Sequence, residues 1–514
     1  MRRGLEPEEV GESSISRPGL IWSGSLLRRF LLCVIPFVVL ATLNSGGYRY
    51  GASDQAFYQP AVTKQLDPSL FPRDTPVLAA QTRLTLADEV IASVVRITGA
   101  SVPSVFAALY LVALVLFAAG VWSIGQHLYD RTWTPIALLT AVTLRHAIAR
   151  SGTNTLEGYF QPRLLAYGLG AAAIAAFLRG RLGLVAVLLA LGGLVHPTTA
   201  LWFGLWLGVG AMLHEPRLRL WGSAAIVAAA IVGGWALTSG PLAGRLAVMD
   251  PEWRAMLHEK TYLFPLEWPL YAWIINLGYL PVIAWLFRER HTAGLVGDRE
   301  RALVLGSSTL FVIFLAALVL HGAGVTLAFQ LQPARVFWMF DFLATIYVVW
   351  ALAEGIGGGR ASEWRPQAVA AILAIGSIAR GLYVVAEAQR PPVQMTIPDD
   401  DWGRVMAWAR TTDKSSGWLA DPLHAVYYGT SVRVAGERDV FVEAVKDAAL
   451  GMYDRDIAVR TDVRLRALPD FAVLTPEKAR TLGADFELDY LVTEGTLDLP
   501  LSFESGRLKV YRIR

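Results

Sequence analysis

Three charged side chains stand where apolar runs of this sequence end. Asp54 lies in GYRYGASDQAFYQPAVTKQLDPSLFPRDT, residues 47–75, which holds three aspartates, one lysine, two arginines and five aromatics. Arg163 closes RSGTNTLEGYFQPR, directly after Pro162, and Arg335 closes FQLQPAR, two residues after Pro333. An arginine at a helix start adds a bidentate, permanently charged group to N–H groups that already favour anions. The chemistry these types suggest is an anion site with a carboxylate in the neighbouring loop. Plainer readings exist: Asp54 as a helix N-cap among interfacial aromatics, and the arginines as groups reaching lipid headgroups.

Further candidates lie nearby. Glu157 is a second acid in the 150–163 loop, and Tyr159 and Gln332 accompany the two arginines as substrate-binding candidates. His196 is a candidate proton carrier or ligand. It has no second His or Cys at metal spacing, which favours a hydrogen-bonded histidine at a helix end. The only cysteine, Cys33, lies inside an apolar run, so neither a disulfide framework nor a thiolate metal pair can form. The mixed charges of 240–267 read as a solvated amphipathic helix, with Trp253 and Trp268 as interface anchors or stacking surfaces for a sugar.

The elements that must position these groups are membrane helices. The chain has 514 residues, 54% hydrophobic and 17% charged, with a mean hydropathy of +0.43. A soluble domain carries roughly a quarter charged residues, so the balance points to a polytopic membrane protein. A net charge of +3 with no dense basic run argues against nucleic acid. Richness in Ala, Gly, Leu and Arg suggests a high-GC bacterium. About eleven spans are expected, near 28–45, 102–124, 133–149, 163–179, 182–196, 197–213, 220–239, 268–287, 302–321, 334–353 and 366–386. Basic residues in RRF, HLYDR, RGR, HEPRLR, RERH and GGGR with EWRP share one side, which the positive-inside rule makes cytoplasmic. Residues 1–27 are then a cytoplasmic tail, and 28–390 form the membrane domain.

Alternation places 46–101, 150–162, 240–267 and 322–333 outside. In the long first loop, Ser53-Asp54 could cap a helix through AFYQPAVTKQL, and Leu70-Phe71-Pro72 reads as an interfacial anchor. Arg83–Ile97 is amphipathic, with Leu86, Val90, Val94 and Ile97 on one face, and is expected to lie flat on the bilayer. From 398 to 514 short helical and strand patterns alternate, the mark of a small extracytoplasmic α/β domain.

The layout resembles the C-type membrane glycosyltransferases, the GT-C superfamily. GYRYGASDQAFY at 47–58 carries the likeness, with an acidic residue soon after the first span, and YFQPR at 159–163 and QPAR at 332–335 resemble motifs of a related bacterial membrane family. The resemblance implies a GT-C-like fold in the bacterial cytoplasmic (inner) membrane. It also implies a polyprenyl-phosphate-linked sugar donor, a glycan, lipid or protein acceptor, and transfer with inversion. Asp54 matches the first-loop aspartate and would be the general base. Arg163 and Arg335 are candidates to stabilise the leaving phosphate. Some members use a divalent cation (Mg or Mn) and others none. Gln55 follows Asp54 where a paired acid is familiar, so the resemblance implies no firm cofactor and no metal ligand. Two rival readings remain: a transporter or flippase of lipid-linked saccharides, and a non-catalytic scaffold. Few charges at span centres and the absence of a two-half repeat speak against the first. A crowded first loop speaks against the second.

Overall fold

The computed structural model describes residues 24–356 and 362–514, apart from Leu84, Pro241 and Pro469. Most of the expected tail over 1–27, and the GGGR segment at 357–360, therefore lie outside the described residues. The chain enters through α1 (Gly24–Asn44) and a two-residue strand β1 (Tyr48–Arg49). Three short helices form the long first loop: α2 (Gln55–Leu66), α3 (Thr75–Thr82) and α4 (Ala87–Thr98). Then come α5 (Val102–Leu128) and α6 (Thr134–Ala141), the hairpin β2 (Ala147–Ile148) with β3 (Thr153–Asn154), and α7 (Pro162–Leu178). α8 (Leu182–Val195), α9 (Pro197–His214) and α10 (Pro216–Thr238) follow, then the short helix α11 (Pro251–Leu257). The bundle is completed by α12 (Leu270–Thr292), α13 (Asp298–Gly322), α14 (Thr326–Leu331), α15 (Val336–Glu354) and α16 (Arg365–Ala388).

Each of the eleven sequence windows falls on a helix, and six helical stretches among the described residues are long and apolar enough to cross a membrane. α15 is apolar on all sides and almost wholly buried, so it forms the centre of the bundle. There Tyr167 stacks on Trp338 with ring centroids 3.6 Å apart. α5 and α7 approach closely because Gly120 faces the backbone of Ala171–Ala172, where a β-carbon has no room.

One window departs from a full helix. α6 ends at Ala141, although hydropathy continues the span to 149. In the unwound stretch Thr143 and Ile148 are buried while His146 and Ala147 are exposed, and polar side chains from other elements hold it. Thr143 Oγ1 lies 2.7 Å from Ser377 Oγ, which also accepts from Asn44 Nδ2 at 2.9 Å. Arg380 donates to the Arg145 carbonyl and to Asn44 Oδ1, both at 2.7 Å.

The first loop also corrects one expectation. Leu70 and Phe71 are not a lipid anchor: they are buried against Leu78 of α3. Trp253 and Trp268 are likewise buried in protein. α4, by contrast, turns Leu86, Val90, Val94 and Ile97 outward, the last 84% exposed.

β4 (Val393–Gln394) pairs in parallel with β1, joining the exit of α1 to the exit of α16. Gly47 makes this fit, with φ of 88° and its α-carbon close against the Pro392 carbonyl. The tail then builds a five-stranded mixed sheet, ordered β6-β5-β7-β9-β8. Its strands are β5 (Gly417–Leu419), β6 (Asp439–Val440), β7 (Tyr490–Thr493), β8 (Leu501–Ser505) and β9 (Leu508–Arg512). α17 (Asp401–Ala409), α18 (His424–Tyr427) and α19 (Val432–Ala435) precede β6, and α20 (Ala444–Leu450), α21 (Arg455–Ala467) and α22 (Pro476–Phe486) follow it. Two apolar clusters cover the sheet, one around Trp402, Trp418 and Val510, the other around Phe441, Leu482 and Leu491.

Buried charge docks this sheet on the first loop. Asp74 accepts from Arg433 Nε at 2.7 Å and from the Val440 N–H at 3.1 Å, and it also pairs with Arg460. Arg433 grips Asp447 with both terminal nitrogens, at 2.5 and 3.0 Å. Asp439 accepts from the backbone N–H groups of Arg73 and Asp74. The arginine holds Asp74 well below the usual carboxylate range despite burial.

Candidate active site

Asp54 sits one residue before α2, where Gly51 (φ 79°) and Ser53 (φ 50°) turn the chain through the left-handed region. It occupies the N-cap position, yet its side chain makes no capping bond. Gln55 fixes the turn instead: its Oε1 accepts from the Gly51 N–H at 2.6 Å and its Nε2 donates to the Phe160 carbonyl at 3.1 Å. The side chain after Asp54 therefore ties the first loop to the YFQPR segment. That brings Asp54 Oδ2 to 3.9 Å from Arg163 Nη2.

Arg163 is the second residue of α7, behind Pro162 at its start. Glu157 stands behind it at 3.6 Å, itself held by Asn154 at 3.0 Å and Arg145 at 3.5 Å. Arg335 ends a 3-10 turn leading into α15, after Gln332 has reversed the chain in a left-handed conformation (φ 49°). The Gln330 side chain donates to the Met452 carbonyl at 3.0 Å, joining this corner to the tail.

These segments enclose a cavity of about 180 Å³. Asp54, Arg163, His196, Gln332 and Arg335 line it together with Lys260, Lys446 and a ring of Tyr58, Tyr262 and Tyr453. Of the sequence candidates, Glu157 and Tyr159 lie outside the wall: Glu157 is claimed by Asn154 and Arg145, and Tyr159 is buried behind Asp54. Burial, with the charges of Asp54 and Glu157 nearby, raises the Tyr159 phenol. His196 caps α9 by accepting from the Thr199 N–H at 3.3 Å and still faces the cavity.

Four cationic side chains, those of Arg163, Lys260, Arg335 and Lys446, thus share a wall with one carboxylate. Arg335 makes no ion pair among the described residues, and its buried Nε lacks a hydrogen-bond partner, as do Arg163 Nε and Gln332 Oε1. An excess of cations with unfilled donors is the electrostatic form of an anion site. Lys446, from α20 of the tail, lies 2.8 Å from Asp54 Oδ1. Burial alone would raise the Asp54 carboxyl, but Lys446 and Arg163 outweigh it and hold the group at about 2. Asp54 is therefore ionised and acceptor-only at neutral pH.

Lys446, Lys260 and the three tyrosines escaped sequence reasoning. Lys446 lies 392 residues from Asp54 in an ordinary helical stretch, AVKDAAL, and no local signal marks it. The donor set does not fit a divalent cation. Asp54 is flanked by two cations, Glu157 is already held, and no three His, Cys, Asp or Glu side chains gather among the described residues.

A second cavity of about 790 Å³ adjoins the first, sharing Tyr58, His196 and Tyr453. Val195, Pro197, Ala236, Leu242, Leu327 and Leu331 make much of its lining apolar. It reaches the end of α10, a helix with no buried residue.

No family model and no curated protein matches the chain. Among solved structures it is similar to the oligosaccharyltransferase AglB from Archaeoglobus fulgidus, in complex with an inhibitory peptide and a dolichol-phosphate. That alignment has 11% identity, covers 91% of this chain and 70% of the other, and has a TM-score of 0.48. An Archaeoglobus fulgidus oligosaccharyltransferase in complex with Zn and sulfate aligns at 11% identity over 90% of this chain and 67% of the other, with a TM-score of 0.45. The arabinofuranosyltransferase AftD from mycobacteria aligns at 14% identity over 95% of this chain, which spans 40% of that protein, with a TM-score of 0.49. AglB and AftD both belong to the GT-C superfamily that the first loop resembles.

Proposed function

We propose that this chain is a multi-pass membrane glycosyltransferase. It crosses the bacterial cytoplasmic membrane about eleven times, with its N-terminus inside and its tail domain outside. It moves a sugar from a polyprenyl-phosphate-linked donor to an acceptor hydroxyl at the outer face. The observation that carries this reading is the single cavity whose wall combines one ionised carboxylate with two unsatisfied arginines at the starts of α7 and α15.

In this reading Arg163 and Arg335 hold the donor phosphate, with Gln332 and His196 beside them, and the prenyl chain runs through the adjoining apolar cavity towards α10. The acceptor oxygen attacks the anomeric carbon from the side opposite the phosphate, and its proton passes to an Asp54 oxygen. The bond from the anomeric carbon to the phosphate oxygen breaks, and its electron pair leaves with the phosphate. The configuration inverts. An ionised carboxylate can serve as the base because the hydroxyl proton becomes acidic only as the new bond forms. The arginines gain most as charge grows on the leaving group, which is where catalysis requires stabilisation. Glu157 orients Arg163 from behind.

The test uses full-length protein in reconstituted membranes with a pool of radiolabelled polyprenyl-linked sugars and mixed acceptors. Wild type is expected to transfer label, and Asp54→Asn to lose transfer while still binding the lipids. Lipid binding by wild type with no transfer over a broad pool would replace this reading with transport or scaffolding.

A further inference from the structure

Asp54 has a partner with no part so far in the transfer step. The Lys446 ammonium donates to its Oδ1 at 2.8 Å and lies 3.5 Å from Ser53 Oγ. The lysine side chain is 13% exposed and the aspartate 30%, so salt screens the pair less than it would screen a surface ion pair. The Phe57 ring also meets the ammonium, its centroid 5.1 Å from Nζ.

The backbone on both sides of Lys446 is fastened. Arg433 grips Asp447, the next residue, at 2.5 and 3.0 Å. Lys260 Nζ donates to the carbonyl of Val445, the preceding residue, at 2.9 Å. The ammonium is therefore placed by the fold of the tail and not by a free four-carbon stem. Its contact divides the carboxylate into two unlike oxygens. Oδ1 is held, while Oδ2 has Arg163 Nη2 at 3.9 Å, beyond hydrogen-bond distance, and stays able to accept at the cavity wall.

A divalent cation beside Asp54 would need further oxygen ligands. The Gln55 amide oxygen is taken by the Gly51 N–H, and Glu157 is held by Asn154 and Arg145. Lys260, Arg163, Arg335 and Lys446 would repel a dication from the same wall. The protein has thus put a cation of its own where a metal would be held.

We propose that Lys446 is the resident cation of this site, orienting Asp54 so that Oδ2 meets the acceptor hydroxyl, and that transfer needs no divalent metal. The role rests on the glycosyltransferase reading. As the hydroxyl proton passes to Oδ2, Asp54 loses its negative charge and the departing phosphate oxygen gains one. The ammonium shares a cavity with Arg163 and Arg335, so it exchanges one counter-ion for the other and keeps its own protons. Lys446 acts through Asp54 and is a positioning residue.

The experiment uses full-length protein in phosphatidylcholine nanodiscs, with the radiolabelled polyprenyl-linked donor pool and mixed acceptors. Mn²⁺ binding is followed separately by electron paramagnetic resonance without donor. Wild-type transfer is expected to stay within twofold when EDTA is added. Lys446→Met should lower transfer at least tenfold with donor binding retained, and Lys446→Arg, which keeps the charge, should recover most of the loss. A protease-resistant tail in both variants shows that α20 remains docked. Lys446→Glu sets a second carboxylate against Asp54 and should bind Mn²⁺ where wild type does not, and adding Asp54→Asn should abolish that binding. Four results would overturn the proposal: transfer lost in EDTA and restored by Mg²⁺ or Mn²⁺, wild-type Mn²⁺ binding that Asp54→Asn removes, equal losses in Lys446→Met and Lys446→Arg, or no gain of Mn²⁺ binding in Lys446→Glu. Absence of transfer by wild type would sink the transferase reading instead, and the Mn²⁺ titrations would then decide the cation assignment alone.

Discussion

Two clusters of Asp and Arg lie where the first outer loop meets the tail, and they are built to opposite ends. Around Arg433 the arginine itself is saturated: Asp74 takes its Nε and Asp447 both terminal nitrogens, and the side chain is 1% exposed. Around Asp54 the same residue types leave Arg335 unpaired, with three side-chain atoms lacking partners, beside an open cavity. Residue type is shared; saturation is not. A buried ion network with all its hydrogen bonds made holds two parts of a protein in register, while a network with spare donors of one sign has room for a ligand. The first cluster also serves the second, because Asp447 follows Lys446 on α20 and so sets where the ammonium meets Asp54.

The contrast breaks if the two aspartates behave alike. Asp54→Asn is expected to slow transfer by about 10²- to 10⁴-fold, the usual range for a positioned base, with the thermal midpoint nearly unchanged. Calorimetry beside the transfer assay checks both halves. Arg433→Ala should act in reverse, costing about 3–5 kcal/mol because it leaves buried carboxylates uncompensated. Limited proteolysis should then release the tail from the membrane domain, and a tail that stays docked and resistant would remove the structural role. Arg335→Ala should lower the transfer rate by about 10²- to 10³-fold, the loss typical of one donor to a developing anion. Donor affinity should fall less than the rate, and an equal fall in both would mean that Arg335 binds the ground state only.

The smallest effect concerns pH. Burial pushes Glu443 up to about 7, Arg433 offsets this only in part, and burial beside Asp74 pushes Asp439 up to about 6. A carboxyl raised in the folded state binds more protons there than in the unfolded chain. Its stabilising contribution is therefore complete below the ordinary carboxylate range and is lost as pH rises through about 7 for Glu443. Thermal unfolding of wild type should weaken between pH 5 and pH 8, and Glu443→Gln should flatten that slope. An unchanged slope in the variant would assign the effect to Asp439 and its neighbours.

How much of this was legible in the sequence depends on how local each cause is. Arg163 and Arg335 could be found because proline marks a helix start and arginine beside it has a chemical meaning there. Asp54 could be found because it closely follows the first span. The break in α6 could not: Ser377, which meets the Thr143 hydroxyl, and Arg380, which donates to the Arg145 carbonyl, lie far from it in sequence. Leu70 and Phe71 were misread because an apolar pair before proline has the same pattern whether lipid or α3 covers it. Lys446 is the extreme case. A lysine in a short amphipathic helix is ordinary until Asp439, Asp74 and Arg433 fix which way that helix faces.

The pairing of β1 with β4 has a consequence in time. Tyr48 of β1 and nearby Asp54 leave the ribosome early in synthesis, and the strand partner of Tyr48, Val393, follows only after the last apolar helix. Lys446 and Tyr453 come later still. A nascent or truncated chain therefore carries the aspartate and both arginines with no closed chamber around them. Contacts so distant in sequence form slowly and last. The carboxylate is enclosed only when translation is nearly finished, so an interrupted product holds the reactive parts without the vessel in which they would work.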